Sequence, residues 1–311
     1  MKNHIEEAAK RMGESGEVSL IERAANRLGS AVIDADAEAR VEQSPPTGDA
    51  ASQRAALKPV SRTSKFAEID IVHAASRNIV AVGPERSRVS EEFRVIKRQV
   101  LRKAFANGAD AIGSGNLIMV TSAAPNEGKT FAAVNLAVSI ASERDKHVLL
   151  VDADLHRPGV LDSLGIEADR GLVDVLEDPS IDLSEVLIRT SFTNLTILPA
   201  GRAHEMGAEL IASERMADLV AEIGKRYSDR VVIFDTSPVL ATSEASTLVS
   251  HVGQVILVVE AERTSEAAVR AALDLLSPCK DIGFVLNKAQ GNTSSADFGS
   301  YHRKYYRELK E

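Results

Sequence analysis

Residues 120–141, VTSAAPNEGKTFAAVNLAVSIA, read as a strand, a loop and a helix in that order. Gly128, Lys129 and Thr130 fall where the helix begins. Unpaired backbone amides and the positive end of the helix dipole make such a start an anion site. Residues Ala124, Pro125, Asn126, Glu127, Gly128, Lys129, Thr130 and Phe131 would then wrap the phosphates of ATP. Lys129 would reach the β- and γ-phosphates, and the Thr130 hydroxyl would bind Mg²⁺. The pattern GxxxxGK[ST] asks for glycine at 123, and this chain has Ala123. Asn126 is the other loop residue suited to a left-handed backbone. A chance GKT at a helix start is the competing reading, and the strand–loop–helix context speaks against it.

Two carboxylate clusters follow, each just past an apolar run. VLLVDADLHRPG places Asp152 and Asp154 after four apolar residues, and RVVIFDTSPVL does the same for Asp235. Each aspartate alone would be read as a cap on the next helix or turn. Three of them on one sheet edge, beside a phosphate loop, suit a hydrated Mg²⁺ and a nucleophile that needs orienting.

The elements that would position these groups lie between about residues 80 and 290. Strand candidates are NLIMVTSA, HVLLVDAD, LTILPAG, RVVIFDTSP, QVILVVEA and GFVLNKA, with helices at 129–142, 209–226 and 264–276 between them. Apolar runs of this kind fit strands buried on both faces of a parallel sheet. Their alternation with helices predicts a doubly wound α/β domain, whose C-terminal strand edges share one ligand crevice. Four zones result: 1–32 with amphipathic helical stretches, a flexible linker over 33–65, the α/β domain over 66–292, and a linker with a tyrosine-bearing tail over 293–311. In the first zone SLIERAANRLG has capping-box spacing from Ser19 to Glu22, and a helix so short needs a surface to dock on.

Composition narrows the function classes. A single cysteine, Cys279, leaves no intramolecular disulfide and no cysteine-based zinc site, and the seven histidines form no HExxH pair. The net charge of −8 argues against general nucleic-acid binding. No apolar run approaches the roughly 18 residues needed to cross a bilayer. The N-terminal MKNHIEEAAKRMGE lacks the apolar core of a secretory signal, so a cytoplasmic location is expected. Of four tyrosines, Tyr301, Tyr305 and Tyr306 sit in the closing YHRKYYRELKE, among arginines and lysines. Tyr301 and Tyr305, spaced i,i+4, could form one face of a packed helix.

Taken together, TSAAPNEGKT, LLVDADLHRP and VVIFDTSP resemble the three motifs of the bacterial protein-tyrosine kinases of capsule and exopolysaccharide loci, the polysaccharide-biosynthesis tyrosine autokinases. Further matching stretches, among them GLVDVLED and ELIASERMADLV, extend the likeness over roughly 86–311, and SLIERAANRLG and SEEFRVIKR look most like the exosortase-associated subgroup. The resemblance implies a P-loop NTPase-type, mainly parallel sheet that uses ATP and Mg²⁺. It implies that Lys129 holds the β/γ-phosphates, that Asp152 takes the proton of the attacking tyrosine, and that Thr130, Asp154 and Asp235 fix the metal. Tyr301, Tyr305 and Tyr306 become acceptors phosphorylated in trans. Asn287, at the strand end in GFVLNKA, reads either as a contact to the adenine or as a turn residue.

EEFRVIKRQVL matches the family's ExxRxxR helix, which implies that Glu91, Arg94 and Lys97 join subunits into a ring. The implied partners are a chain-length-determinant-type inner-membrane activator, further copies of the chain and a phosphotyrosine phosphatase, with the protein held peripherally at the inner membrane. His156 stands where the second motif has arginine, Arg157 comes one residue late, and Lys97 replaces the helix's second arginine. Two other readings stay open. A partition or septum-site ATPase shares the fold but carries a second loop lysine, where this chain has Ala124. A non-catalytic ATP-binding adaptor of an export complex is the other, left open by Ala123 and His156.

Overall fold

In the computed structural model, which describes residues 65–79, 87–106, 111–202, 204, 206–227 and 229–289, the apolar runs become the middle of an eight-stranded sheet. The strands are β1 (Lys65–Ala67), β2 (Leu117–Ser122), β3 (His147–Ala153), β4 (Ile188–Thr190), β5 (Leu195–Leu198), β6 (Arg230–Thr236), β7 (Gln254–Glu260) and β8 (Ile282–Asn287). Their spatial order is β1-β4-β5-β3-β6-β2-β7-β8, parallel throughout except between β4 and β5. The six apolar runs all form strands. The three-residue β1 and β4 were not anticipated, being too short to carry a periodic signal.

Helices cover both faces: α1 (Ile71–Ser76), α2 (Arg88–Ala104), α3 (Lys129–Ala141), α4 (Val160–Leu164), α5 (Leu172–Glu177), α6 (Leu183–Val186), α7 (Gly207–Ile211), α8 (Glu214–Arg226), α9 (Glu244–Leu248) and α10 (Glu266–Leu276). Strand side chains alternate between the two layers. Val231 and Ile233 of β6 pack with α2, α3 and α4, whereas Val232 and Phe234 pack with α5, α8 and α10. This double burial is why the central runs contain no alternating polar residues, whereas the edge strand β8 leaves Phe284 and Leu286 exposed.

Two expectations need correcting. The helix predicted over 209–226 is two helices, because the Ser213 hydroxyl accepts from Met216 N at 3.2 Å and starts α8 afresh. Lys65, placed at the end of the linker, opens β1 beside Ile188 of β4. The remainder of the linker, the N-terminal stretches and the tail with Tyr301, Tyr305 and Tyr306 lie outside the described residues. Among the described residues no helix is long and apolar enough to cross a membrane.

Candidate active site

The central order β3-β6-β2 brings the three motif-bearing strand ends together. The loop 123–128 leaves β2, Asp152 and Asp154 end β3, and Asp235 ends β6. Asp152 and Asp235 are register partners on adjacent parallel strands, so their Cα atoms stand opposite one another.

The loop takes its shape from two left-handed residues, Asn126 at φ 67° and Gly128 at φ 97°. Ala123, buried at 1 % exposure, is not among the positive-φ residues, so the missing glycine costs the backbone nothing there. Gly128 is required twice over, since an added Cβ would lie 2.0 Å from Asn287 Nδ2. It is also the N-cap of α3, whose opening amides have no partner inside the helix.

Lys129 Nζ forms an ion pair with Asp154 Oδ2 at 2.5 Å and lies 3.4 Å from Thr130 Oγ1. Burial works to lower the Lys129 pKa, but Asp235, Asp154 and Asp152 together outweigh it and hold the value above normal. Asp154 Oδ1 also accepts from Ser237 Oγ and from Arg157 N, each at 3.1 Å. Ser237 is a site residue that sequence reasoning passed over, although it fills the open position of the third motif.

Asp152 has a divided role. Its Oδ2 accepts from Gly159 N and Val160 N, both at 3.1 Å, so it does anchor the start of α4. Its Oδ1 is buried without a hydrogen-bond partner, as are both oxygens of Asp235. Desolvation, reinforced by Asp235, pushes the Asp152 carboxyl up to about 8. Desolvation likewise raises Asp235, to about 6, against the pull of Lys129.

Three buried carboxyl groups thus face one partly buried ammonium, and three of their oxygens lack partners. Hard oxygen donors of this kind suit a hydrated Mg²⁺. Among the described residues no three acidic, histidine or cysteine side chains converge as a ready-made cage.

The other expected residues fall less simply. The Phe131 ring packs edge-on against Phe93 of α2 at 5.9 Å and 67°, so any part it plays toward nucleotide comes through its backbone. Asn287 donates from Nδ2 to Glu127 O at 2.8 Å, on the phosphate loop itself. His156 and Arg157 are both exposed in the turn after β3. On α2, Arg94 and Glu91 form an exposed pair at 2.7 Å, yet Lys97 does not share their outward face. It is 5 % exposed, donates to Ser139 O at 3.1 Å and pairs with Glu143 at 2.6 Å. That bond holds the Glu143 carboxyl below its usual range. Lys97 is therefore an internal tie between α2 and the end of α3. Three-residue steps drift around a 3.6-residue helix, and its six-residue distance from Glu91 carries it inward.

Comparison with known proteins agrees with this geometry. Residues 116–287 match the family described as AAA domain. The tyrosine-protein kinase YwqD of Bacillus subtilis is 33 % identical over 230 residues, which cover 73 % of this chain and 92 % of that protein. The tyrosine-protein kinase wzc of Salmonella typhimurium is 26 % identical over 261 residues, 83 % of this chain but 34 % of that longer protein. The crystal structure of the chimerical protein CapA2B2 aligns at a TM-score of 0.60 with 30 % identity, covering 70 % of this chain and 91 % of the other. The chain belongs to the bacterial tyrosine-protein kinases, with its AAA domain at residues 116–287.

Proposed function

We propose that this chain is an ATP-dependent protein-tyrosine autokinase that phosphorylates its C-terminal tyrosine cluster in trans and thereby regulates exopolysaccharide synthesis and export. The observation that carries the reading is the buried triad of Asp152, Asp154 and Asp235 set around the phosphate-loop lysine, with oxygens left unpartnered.

Lys129, released from Asp154 when the nucleotide enters, neutralises the γ-phosphoryl oxygens. Thr130, Asp154 and Asp235 would hold Mg²⁺, which would supply charge neutralisation across the phosphates. Asp152, pinned by Gly159 and Val160, offers its free Oδ1 to the incoming phenol. Once ionised, the form that the positive charge of Lys129 and of a bound Mg²⁺ would favour, a carboxyl with a raised pKa is a better proton acceptor than an ordinary one. The phenolic oxygen forms a bond to the γ-phosphorus, the bond to the β–γ bridging oxygen breaks, and ADP leaves. The phenol's proton passes to Asp152 and then to solvent. Positioning and charge supply the acceleration.

Tyr301, Tyr305 and Tyr306 serve as acceptors, and Glu91 and Arg94 contribute to a ring-like assembly. Asn287 Oδ1 remains available to an exocyclic amine of the base. A chain-length-determinant-type membrane protein would act as activator and hold the chain at the inner membrane, and a phosphotyrosine phosphatase would reset it. A switch ATPase of the partition kind has weaker support, since position 124 is alanine.

Phosphotyrosine mass spectrometry on protein from its own host tests the reading, using wild type, Lys129→Met and a variant with Tyr301, Tyr305 and Tyr306 changed to Phe. Phosphate on those tyrosines, lost in Lys129→Met, is expected. ATP binding without any phosphotyrosine in wild type would overturn the kinase reading in favour of an adaptor or a switch.

A further inference from the structure

The phosphate loop is gripped from outside by residues that take no part in the carboxylate cluster. Lys288 Nζ donates to Asn126 O at 2.6 Å, and Asn287 Nδ2 donates to Glu127 O at 2.8 Å. In a trans peptide the C=O and the following N–H point in opposite directions. Holding the Asn126 carbonyl therefore aims the Glu127 amide, and holding the Glu127 carbonyl aims the Gly128 amide. Both amides belong to the stretch that opens α3 toward an anion.

The side chain of Glu127 closes the same loop. It is 3 % exposed, its Oε2 accepts from Ala124 N at 2.9 Å, and its Oε1 accepts from Thr264 Oγ1. Thr264 is itself fixed, since its hydroxyl accepts from Glu260 N at 3.1 Å. Glu260 Oε2 in turn meets Lys288 Nζ at 3.1 Å, which completes a circuit of contacts. Left-handed non-glycine residues gather here: Asn126 at φ 67°, Glu262 at 62° and Lys288 at 56°. Such residues persist only where their surroundings over-determine them.

We propose that Thr264, Asn287 and Lys288 are positioning residues that set the amides of the phosphate loop before the nucleotide arrives. They come from the turn after β7 and the end of β8, far along the chain from the loop they hold. The role rests on the nucleotide-binding part of the reading above and adds to it: affinity for the phosphates depends on a circuit outside the reacting groups. Asn287 thereby acts on the loop through Nδ2, whatever its Oδ1 meets.

Calorimetric titration of the full chain with ADP, without Mg²⁺, separates this role from a merely structural one. Thr264→Val should weaken ADP by about tenfold and Lys288→Met by about threefold, as expected for losing one or two directed hydrogen bonds. Thr264→Ser, which keeps the hydroxyl, should bind within about twofold of wild type. In the nucleotide-free protein, hydrogen exchange at Glu127 and Gly128 should quicken in Thr264→Val while that of β3 stays unchanged. If Thr264→Val fails to fold, Lys288→Met and Thr264→Ser still decide the matter. Wild-type affinity in Lys288→Met and Thr264→Val, or failure of Thr264→Ser to restore it, would overturn the positioning role alone. Wild type that does not bind ADP would overturn the nucleotide reading with it.

Discussion

Asp152 and Asp235 stand as register partners at the ends of β3 and β6, both buried, while the nearby ammonium of Lys129 pairs with Asp154 instead. In the nucleotide-free protein burial raises both carboxyls, with Asp235 adding to the effect on Asp152, and the one ammonium nearby does not offset it.

The sign of the resulting pH dependence follows directly. The folded protein holds the Asp152 proton up to about pH 8, whereas the unfolded chain releases it near the ordinary aspartate value. The contribution to stability is therefore complete at acid pH and is lost as pH rises toward 8. Asp152→Asn keeps an oxygen for Gly159 N and Val160 N and cannot ionise. Its melting temperature relative to wild type should rise by about 3–6 °C between pH 5.5 and pH 8.0. Scanning calorimetry at the two values checks this, and a pH-independent difference would contradict it. The same variant should lose phosphotyrosine by at least about 100-fold.

Breaking the Lys129–Asp154 ion pair is part of the cost of binding phosphate. Asp154→Asn removes both the competitor and one negative charge, so Mg²⁺-free ADP should bind about three- to tenfold more tightly. Phosphotyrosine formation with Mg²⁺ should nonetheless fall by about 100-fold or more, because a proposed metal ligand has gone. Tighter ADP binding with full kinase activity would remove Asp154 from the metal's ligands.

Gly128→Ala meets two obstacles, the left-handed backbone and the Asn287 amide 2.0 Å from the new Cβ. The backbone alone costs about 1–2 kcal/mol. ADP binding should fall below detection in the single variant and recover only in part with Asn287→Gly added, because the φ penalty remains and the Asn287 bond to Glu127 O is lost. Full recovery would mean that the contact alone makes glycine necessary.

Lys97→Ala should destabilise the fold, whereas Arg94→Ala should not. The Lys97 side chain is 7 % exposed and ties α2 to Ser139 O and Glu143, but Glu143 is 47 % exposed and stays solvated, so the loss should be about 1–3 kcal/mol. Thermal melts of the two variants, read beside native mass spectrometry, would separate the inward tie from the outward pair. A changed oligomer in Arg94→Ala with an unchanged melt is the expected pattern.

Much of this arrangement was legible in the residues. The central strands announced themselves because both faces are buried, the edge strand β8 by its apolar run alone, and the motif aspartates fell at strand ends that parallel pairing must bring together. Asn126 was recognisable as a left-handed position because few other residues tolerate one. What stayed hidden depended on orientation at a distance. Lys97 looks like a surface charge until α2 is laid on α3. Thr264 reads as an ordinary polar residue ahead of the Ser265 cap of α10, and only the β2–β7 pairing carries it to Glu127. Ser213 could have warned of a break between α7 and α8, since a serine followed by Glu214 is a common helix start.

The strand order also has a consequence for synthesis. β6 lies between β2 and β3, yet it is made after both. A nascent chain that has emerged only through residue 229 already carries the phosphate loop and Asp154, but lacks the strand that spaces them. Long-range parallel pairing forms slowly. The ribosome-bound chain should therefore bind no nucleotide until β6 inserts, and assembly of the sheet itself becomes the step that first switches the enzyme on.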